Sequence, residues 1–200
     1  MSMTTLPIML FDEHQLAPSF GYFFNPKWVS PYESIVSMLW KFGRANALPG
    51  HVLITQIAKD TIDPYEGISA CPSEVTLRKV QRALGVPLRM VRAALIPEPL
   101  QGTGSPWFRY CRSCLAGGYH GIVHQLKRVG RCPVHGDVLE MACHNCGERA
   151  PYRLNAYLLD APYRCGNCGA CYMSTRPSPS LWRPLSQKAR TAMTRTRLNC

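Results

Sequence analysis

Eight side chains between residues 111 and 168 have the types and the spacing of metal ligands. Cys111-Arg-Ser-Cys114 is followed after 17 residues by Cys132-Pro-Val-His135, and Cys143-His-Asn-Cys146 is followed after 18 residues by Cys165-Gly-Asn-Cys168. Two intervening residues allow a tight turn to direct both side chains of a pair at one ion, and two such pairs complete a tetrahedron. The pattern therefore predicts two zinc sites. Their ligands are Cys111, Cys114, Cys132 and His135 in site 1, and Cys143, Cys146, Cys165 and Cys168 in site 2.

Spacing alone does not fix how the four pairs combine. Sequential pairing is the simpler arrangement, but the sites can also interleave, with the first pair joining the third. Cys171 follows Cys168 at the same spacing and can replace a neighbouring ligand. Three further histidines of this region are expected at the surface rather than at the metal: His120, His124 and His144.

A glycine follows the second ligand in three of the four pairs, at Gly136, Gly147 and Gly169. Turns of this kind commonly require a residue with positive φ, which glycine adopts without a steric penalty. We therefore expect positive φ at these three positions.

The two predicted ions are structural rather than catalytic. A catalytic zinc ion keeps three protein ligands, an open position for water and usually a nearby carboxylate base. Here each ion has four protein ligands, and the sequence has no H-E-x-x-H or H-x-E…C-x-x-C setting. Few apolar residues lie between Cys111 and Cys171, so zinc binding is expected to be coupled to folding there. We predict that the protein is not an enzyme.

The cysteine content also indicates the compartment. The chain has ten cysteines, and its first residues lack the basic and then apolar pattern of a signal peptide. In a reducing compartment, closely spaced cysteines bind metal more often than they form disulfides. The chain has no apolar run near the roughly 20 residues that a membrane span needs. These features predict a cytoplasmic protein.

Positive charge is concentrated in the second half of the chain. Residues 1–100 hold 9 Lys/Arg against 8 Asp/Glu, a net of +1, whereas residues 101–200 hold 14 against 4, a net of +10. Two loaded zinc sites lower the second value to about +7, because seven thiolates outweigh two Zn²⁺ ions by three charges. Such a surface favours a polyanion such as nucleic acid, although a solvated basic surface is the alternative.

The candidate nucleic-acid contacts are the basic residues of the zinc region and of the chain that follows it. Tyrosines lie among them, at positions 119, 152, 157 and 163. They either stack on bases or pack over the metal sites. The basic candidates are Lys127, Arg128, Arg131, Arg149, Arg153, Arg164, Arg183, Lys188, Arg190, Arg195 and Arg197.

The first hundred residues are predicted to be helical. Ser30, Pro31 and Glu33 form a helix-start signal, and the helix ends before Pro49. A shorter helix is expected over residues 52–58, followed by a loop over residues 60–72. Residues 1–29 have no helical period and are expected to form an irregular arm that packs on the next segment.

Two short helices around a glycine turn follow this loop. The first is predicted to begin at Ser73 and to end at Gly85, and the second runs from Pro87 to Pro97. The pair resembles a helix-turn-helix unit, but any small helical bundle contains such pairs.

The predicted fold is therefore a helical, helix-turn-helix-like domain over residues 1–100 and a zinc-ribbon or zinc-finger module over residues 107–173. A basic tail follows over residues 174–200, and a linker lies over residues 97–106. Within the tail, residues 186–198 are expected to form a helix on contact with an anion.

Two segments of the sequence together resemble a known family. The first is Tyr32–Leu48, with Glu33-Ser34-x-x-Ser37 at its start and Arg44-Ala45-Asn46 near its end. The second is Cys132-Pro-Val-His135-Gly136, preceded by Cys111-x-x-Cys114-Leu115 and followed by Leu139 and by Cys143-x-x-Cys146-Gly147. The chain is similar over roughly residues 6–171 to the TniQ family, the transposition target-selection proteins that include TnsD-like members.

The resemblance implies an adaptor without chemistry of its own. Such a protein binds a chosen target, either DNA or an RNA-guided effector complex, and recruits the transposon's AAA+ ATPase. The expected partners are DNA, this ATPase and the effector complex, with a homodimer as a further option, and the expected place is the bacterial nucleoid. The alternative is a transcriptional regulator that binds DNA through a zinc ribbon and a helix-turn-helix.

Overall fold

The computed structural model describes residues 21–97, 102–173, 182 and 184–199. Residues 1–20 of the predicted arm over residues 1–29, residues 98–101 of the predicted linker, and residues 174–181, Arg183 and residue 200 of the predicted tail lie outside the described residues. No helix in the described ranges is long and apolar enough to cross a membrane. The described helices are α1 (Ile35–Asn46), α2 (Gly50–Ile57), α3 (Leu77–Leu84), α4 (Leu88–Ala93), α5 (Arg112–Ala116), α6 (Ala156–Asp160) and α7 (Gln187–Leu198).

One small sheet within the described residues joins the two halves of the chain. Strand β1 (Ile68–Ser69) pairs antiparallel with β2 (Arg153–Leu154), so that Ile68 lies opposite Leu154. The fold is thus helical, with a two-stranded sheet and with 3₁₀ turns at Pro26–Trp28 and Ile122–Gln125.

Helix α1 begins at Ile35, five residues after the predicted cap. The Ser30 side chain does not cap it; Ser34 does, and its side chain accepts a hydrogen bond from the backbone of Ser37. Residues 30–33 form a turn in which Tyr32 has a φ of 59°. The Glu33 carboxylate does accept a hydrogen bond from the Ser30 amide at 2.9 Å, so the predicted contact exists on the turn before the helix.

The boundaries of the next helices are partly as predicted. Helix α2 lies within two residues of its predicted range, and Gly85 ends α3 with a φ of 61°. Helix α3 begins at Leu77 and not at Ser73, because the preceding residues pair with the end of α2. Val75 forms a bridge with Ala58, and the Thr76 amide donates to the Ile57 carbonyl at 2.7 Å. Helices α3 and α4 contact each other, and their helix-turn-helix character remains a prediction.

The two halves of the chain share one hydrophobic core. Helix α1 is buried along Ile35–Gly43, and its Trp40 ring lies 4.9 Å from the ring of Tyr163 and 5.5 Å from that of Phe108. The Trp40 indole also donates to the Leu158 carbonyl at 2.7 Å. Many apolar residues of the zinc region therefore pack on α1, while those around site 1 form a second, smaller cluster.

The Trp182 side chain packs back onto the N-terminal half. The Trp182 ring lies 5.0 Å from the Trp28 ring, and the Arg44 guanidinium lies 5.7 Å from the Trp182 ring. Gly118, which has a φ of 71°, makes room for it, since a Cβ there would lie 2.5 Å from the Trp182 ring. Helix α7 follows, capped by Ser186, whose side chain accepts from the Ala189 amide.

Candidate metal centres and basic surface

Three of the four ligand pairs lie on turns with the same backbone geometry. In each turn the amide of the glycine donates to the carbonyl of the first cysteine, at 2.8 Å for Gly136, 2.8 Å for Gly147 and 2.9 Å for Gly169. The φ angles of these glycines are 74°, 74° and 73°, which confirms the expected positive φ. Each turn thereby directs both ligand side chains to one side.

The pair Cys111 and Cys114 is positioned differently. Cys111 is the residue before α5, and Cys114 lies inside that short helix. The Leu115 amide donates to the Cys111 carbonyl at 3.0 Å, as in a helical turn. The sequence indicated this different geometry, because Leu115 occupies the position that is glycine in the other three pairs. Site 1 therefore combines a helix start with one turn, whereas site 2 combines two turns.

The ligand atoms of site 1 have the spacing of a tetrahedron around zinc. The His135 Nδ1 atom lies 3.4, 3.3 and 3.6 Å from the sulfurs of Cys111, Cys114 and Cys132. The Cys114 and Cys132 sulfurs are 3.6 Å apart. Zinc bonds of about 2.3 Å to sulfur and about 2.0 Å to nitrogen correspond to tetrahedral edges of about 3.8 and about 3.6 Å. The four residues could therefore hold one zinc ion.

The ligand atoms of site 2 match the same geometry. The Cys143 and Cys168 sulfurs are 3.6 Å apart, and those of Cys146 and Cys165 are 3.7 Å apart. All four sulfurs lie within 4.8 Å of one another. The structure brings the eight ligands together in the sequential grouping. Cys171 belongs to neither of the clusters found among the described residues.

Hydrogen bonds among the thiols of site 1 shift their pKa values in opposite directions. Hydrogen bonds from Cys111, and next from Cys114, lower the pKa of Cys132 well below its ordinary value. Hydrogen bonding to Cys111 and then to Cys132, together with burial, raises the pKa of Cys114 far above it. Zinc replaces the protons of such thiols, so loading site 1 releases protons.

The pKa values of two thiols of site 2 also shift in opposite directions. Burial raises the pKa of Cys165 to about 11. Hydrogen bonding from the backbone at Ala170 lowers the pKa of Cys168 to about 6.

Two histidines that we expected at the surface are fully buried. His120 lies between the Ser34 hydroxyl, 2.6 Å from its Nδ1, and the Arg109 carbonyl, 2.8 Å from its Nε2. Burial, and next the neighbouring His124, keeps the pKa of His120 well below its ordinary value. The expectation was wrong for both: His120 lies at the junction with α1, where its partner Ser34 is distant in sequence, and His124 packs against site 1. His144 is exposed, as expected.

His124 lies directly behind site 1. Its Nε2 atom is 3.9 Å from the Cys114 sulfur, and its Nδ1 accepts from the Gly121 amide at 3.3 Å. The backbone contact assigns the proton to Nε2, which then donates to the sulfur. A donor of this kind orients a thiolate ligand without binding the metal.

The predicted basic residues are mostly exposed. Several of them also donate to backbone carbonyls, such as Arg131 to Gly136 at 3.1 Å and Arg153 to Gly67 at 2.9 Å. These hydrogen bonds fix the loops that contain Gly136 and Gly67, and the guanidinium groups remain exposed to solvent. The exposed candidates are Lys127, Arg128, Arg131, Arg149, Arg153, Lys188, Arg190 and Arg195, while Arg164 and Arg197 are half-buried.

The buried tyrosines have a packing role. Tyr119, Tyr152 and Tyr163 are all at most 6% exposed, so their rings do not present a face to a base. Tyr157 is 65% exposed, and its ring lies 5.2 Å from the ring of Tyr65. Of the four tyrosines that the sequence left open, only Tyr157 remains available for stacking.

Our candidate set did not include the basic residues of α3 and α4. These side chains are exposed on the face opposite the core, and their helical spacing was a signal that could have identified them. They are Arg78, Lys79, Arg82, Arg89 and Arg92.

Comparison of the chain with protein-family models gives no match, and comparison with curated proteins gives none either.

Proposed function

We propose that this chain is a transposition target-selection adaptor that binds nucleic acid and recruits an AAA+ ATPase, and that two structural zinc ions stabilise its fold. The observation that carries the proposal is the combination of two closed four-ligand clusters with exposed cations on the same half of the chain. The ATPase partner and the transposition role rest on the motif resemblance to the TniQ family.

Nucleic acid is the partner that the charge distribution favours. The second half has a net charge of +10 before metal binding, and eight of the eleven candidate cations are exposed. Because zinc lowers this charge only to about +7, the surface still favours a polyanion.

An adaptor role agrees with the absence of an open coordination position. Each cluster offers four ligand atoms, so a bound ion has no position left for a reactive water molecule. The carboxylate of Asp137, which lies closest to site 1, already accepts from the Ser113 hydroxyl at 2.9 Å.

A second candidate function is a DNA-binding transcriptional regulator. The five exposed cations of α3 and α4 favour it, because they lie on two short helices that contact each other. A regulator binds duplex DNA specifically and needs no ATPase.

The direct test is co-elution of the zinc-loaded chain with a transposon AAA+ ATPase, in the presence of ATP and a short DNA duplex. We expect one complex that contains all three components and that is lost when DNA or ATP is omitted. Tight DNA binding without ATPase association would replace the adaptor proposal by the regulator.

The salt dependence of DNA binding shows whether the basic surface of the zinc region or that of α3 and α4 contacts DNA. We expect the double change Arg128→Gln and Arg149→Gln to reduce the slope of log K against log salt by about 1.8, since each lost phosphate contact removes about 0.9. Both side chains are exposed, and no hydrogen bond of either is seen among the described residues. The matched control is Arg89→Gln with Arg92→Gln on α4. A reduced slope in the control alone would favour the regulator.

A further inference from the structure

We propose that α7 contacts nucleic-acid phosphates and that the ion at site 1 holds α7 in place, so that metal loading of this site controls binding. The inference rests on the proposed nucleic-acid function, and it adds to that function both a contact element and a means of regulation.

Helix α7 is anchored through the residues of site 1. Met193 is fully buried in a cluster whose other members include Cys111, Cys114 and Cys132. Helix α7 also contacts the turn Ile122–Gln125. We call this cluster the α7 seat; its buried members are Cys111, Cys114, Tyr119, Val123, Leu126, Val129, Cys132, Leu139 and Met193.

The ligands of site 2 do not belong to this seat. Cys143 and Cys165 are members of the main core, together with residues of α1. Three of the nine buried members of the seat are ligands of site 1. Loss of the ion at site 1 therefore loosens the seat directly, whereas loss of the ion at site 2 reaches it only by unfolding the main core.

The outward face of α7 is suited to a phosphate backbone. Lys188, Thr191 and Arg195 follow one another at i, i+3 and i+7 and line one shallow depression. Lys188 and Arg195 are exposed and about 10 Å apart along the helix axis. At this separation the two cations can contact two different phosphates of one DNA strand.

The charges at the start of α7 are unfavourable without an anion. Residues 187–198 include four basic residues and no acidic one. Arg195 and Arg197 lie in the last turn, where the helix dipole favours positive charge. Lys188 and Arg190 lie at the opposite end, where the dipole disfavours it. A bound phosphate group offsets that repulsion, which gives these two residues a role that helix stability does not explain.

The seat can be tested without nucleic acid by limited trypsin digestion. His135 and Cys168 are each the exposed last ligand of a site, so His135→Ala and Cys168→Ala form a matched pair. We expect His135→Ala to speed cleavage after Lys188 and Arg190 about tenfold, because the released helix opens more often. Cys168→Ala opens the main core, so it should speed cleavage in α1–α4 as much as in α7, whereas His135→Ala should speed cleavage in α7 alone. Equal acceleration of cleavage in α7 and in α1–α4 in His135→Ala overturns the seat.

A second variant tests the seat with both metal ions in place. Met193→Ala should retain two zinc ions per chain and should reproduce the faster cleavage of α7, whereas Met193→Leu should restore the wild-type rate. An unchanged cleavage rate in Met193→Ala overturns the role of Met193 as the anchor, even if the His135 variant fails to fold.

The phosphate contact is tested on a short mixed-sequence DNA duplex. We expect Lys188→Gln to reduce the salt slope by about 0.9 and the exposed control Lys59→Gln to leave it unchanged. Met193→Ala should lose the contributions of both Lys188 and Arg195. If the wild-type chain binds with a clear salt slope that Lys188→Gln does not alter, α7 is not the contact element. If the wild-type chain does not bind at all, the proposed function fails, while the digestion result still decides the seat.

Discussion

Cys165→Ser is expected to unfold both halves of the chain together. Zinc binding at a structural site contributes about 10–16 kcal/mol at neutral pH, whereas a domain is stable by only about 5–15 kcal/mol. Cys165 is 2% exposed and belongs to the main core that also contains Trp40 of α1. Loss of the ion at site 2 therefore also destabilises the N-terminal helices, because they pack in the same core.

Circular dichroism and trypsin digestion measure this outcome. We expect the helical signal of the whole chain to be lost near room temperature and the N-terminal half to be digested as fast as the zinc region. Cys171→Ser is the matched control, because this thiol lies nearby but in neither described cluster, and it should leave the chain folded. Retention of the α1–α4 signal in Cys165→Ser would mean that the two halves fold independently.

The metal ligands and their turns were predictable because their signals are local. A Cys-x-x-Cys pair followed by glycine contains the ligands and the residue with positive φ within five positions. For the same reason Gly85 at the end of α3 was predictable. Only the setting of Cys111 and Cys114 differed, and there the sequence has Leu115 in place of glycine.

The junction between the halves could not be predicted, because its contacts join residues far apart in the chain. Ser34 and His120 are separated by 86 positions and are hydrogen bonded at 2.6 Å. The Ser34 amide also donates to the His120 carbonyl at 2.7 Å. A lone histidine in a sequence gives no sign of such a partner, and the start of α1 is shifted by the same contacts.

These contacts change how the family resemblance is understood. Glu33, Ser34 and Ser37 carry the E-S-x-x-S part of the motif, and all three are fully buried. Their side chains bind Lys41, His120 and one another. In this chain these three residues thus join α1 to the zinc region, so the ATPase contact that we propose would have to be made by other residues.

Lys41→Met is expected to destabilise the chain by about 3–5 kcal/mol, because it leaves the buried Glu33 carboxylate without its ionic partner. The side chains of Lys41 and Glu33 are 2% and 0% exposed, and their charged atoms are 2.6 Å apart. The Lys41 ammonium also donates to the Trp28 carbonyl at 2.6 Å, so the substitution additionally releases the turn before α1. Urea unfolding at neutral pH measures the change in the free energy of unfolding.

The double variant Glu33→Gln with Lys41→Met separates the buried charge from the packing. If the unpaired carboxylate causes the loss, the double variant is more stable than Lys41→Met alone, since the neutral amide can still accept from the Ser37 hydroxyl. That hydroxyl now donates to Glu33 at 2.6 Å. Lys27→Met, at an exposed lysine in the neighbouring 3₁₀ turn, is the control and should unfold at the wild-type urea concentration. A double variant as unstable as Lys41→Met would assign the loss to the Trp28 contact instead of the ion pair.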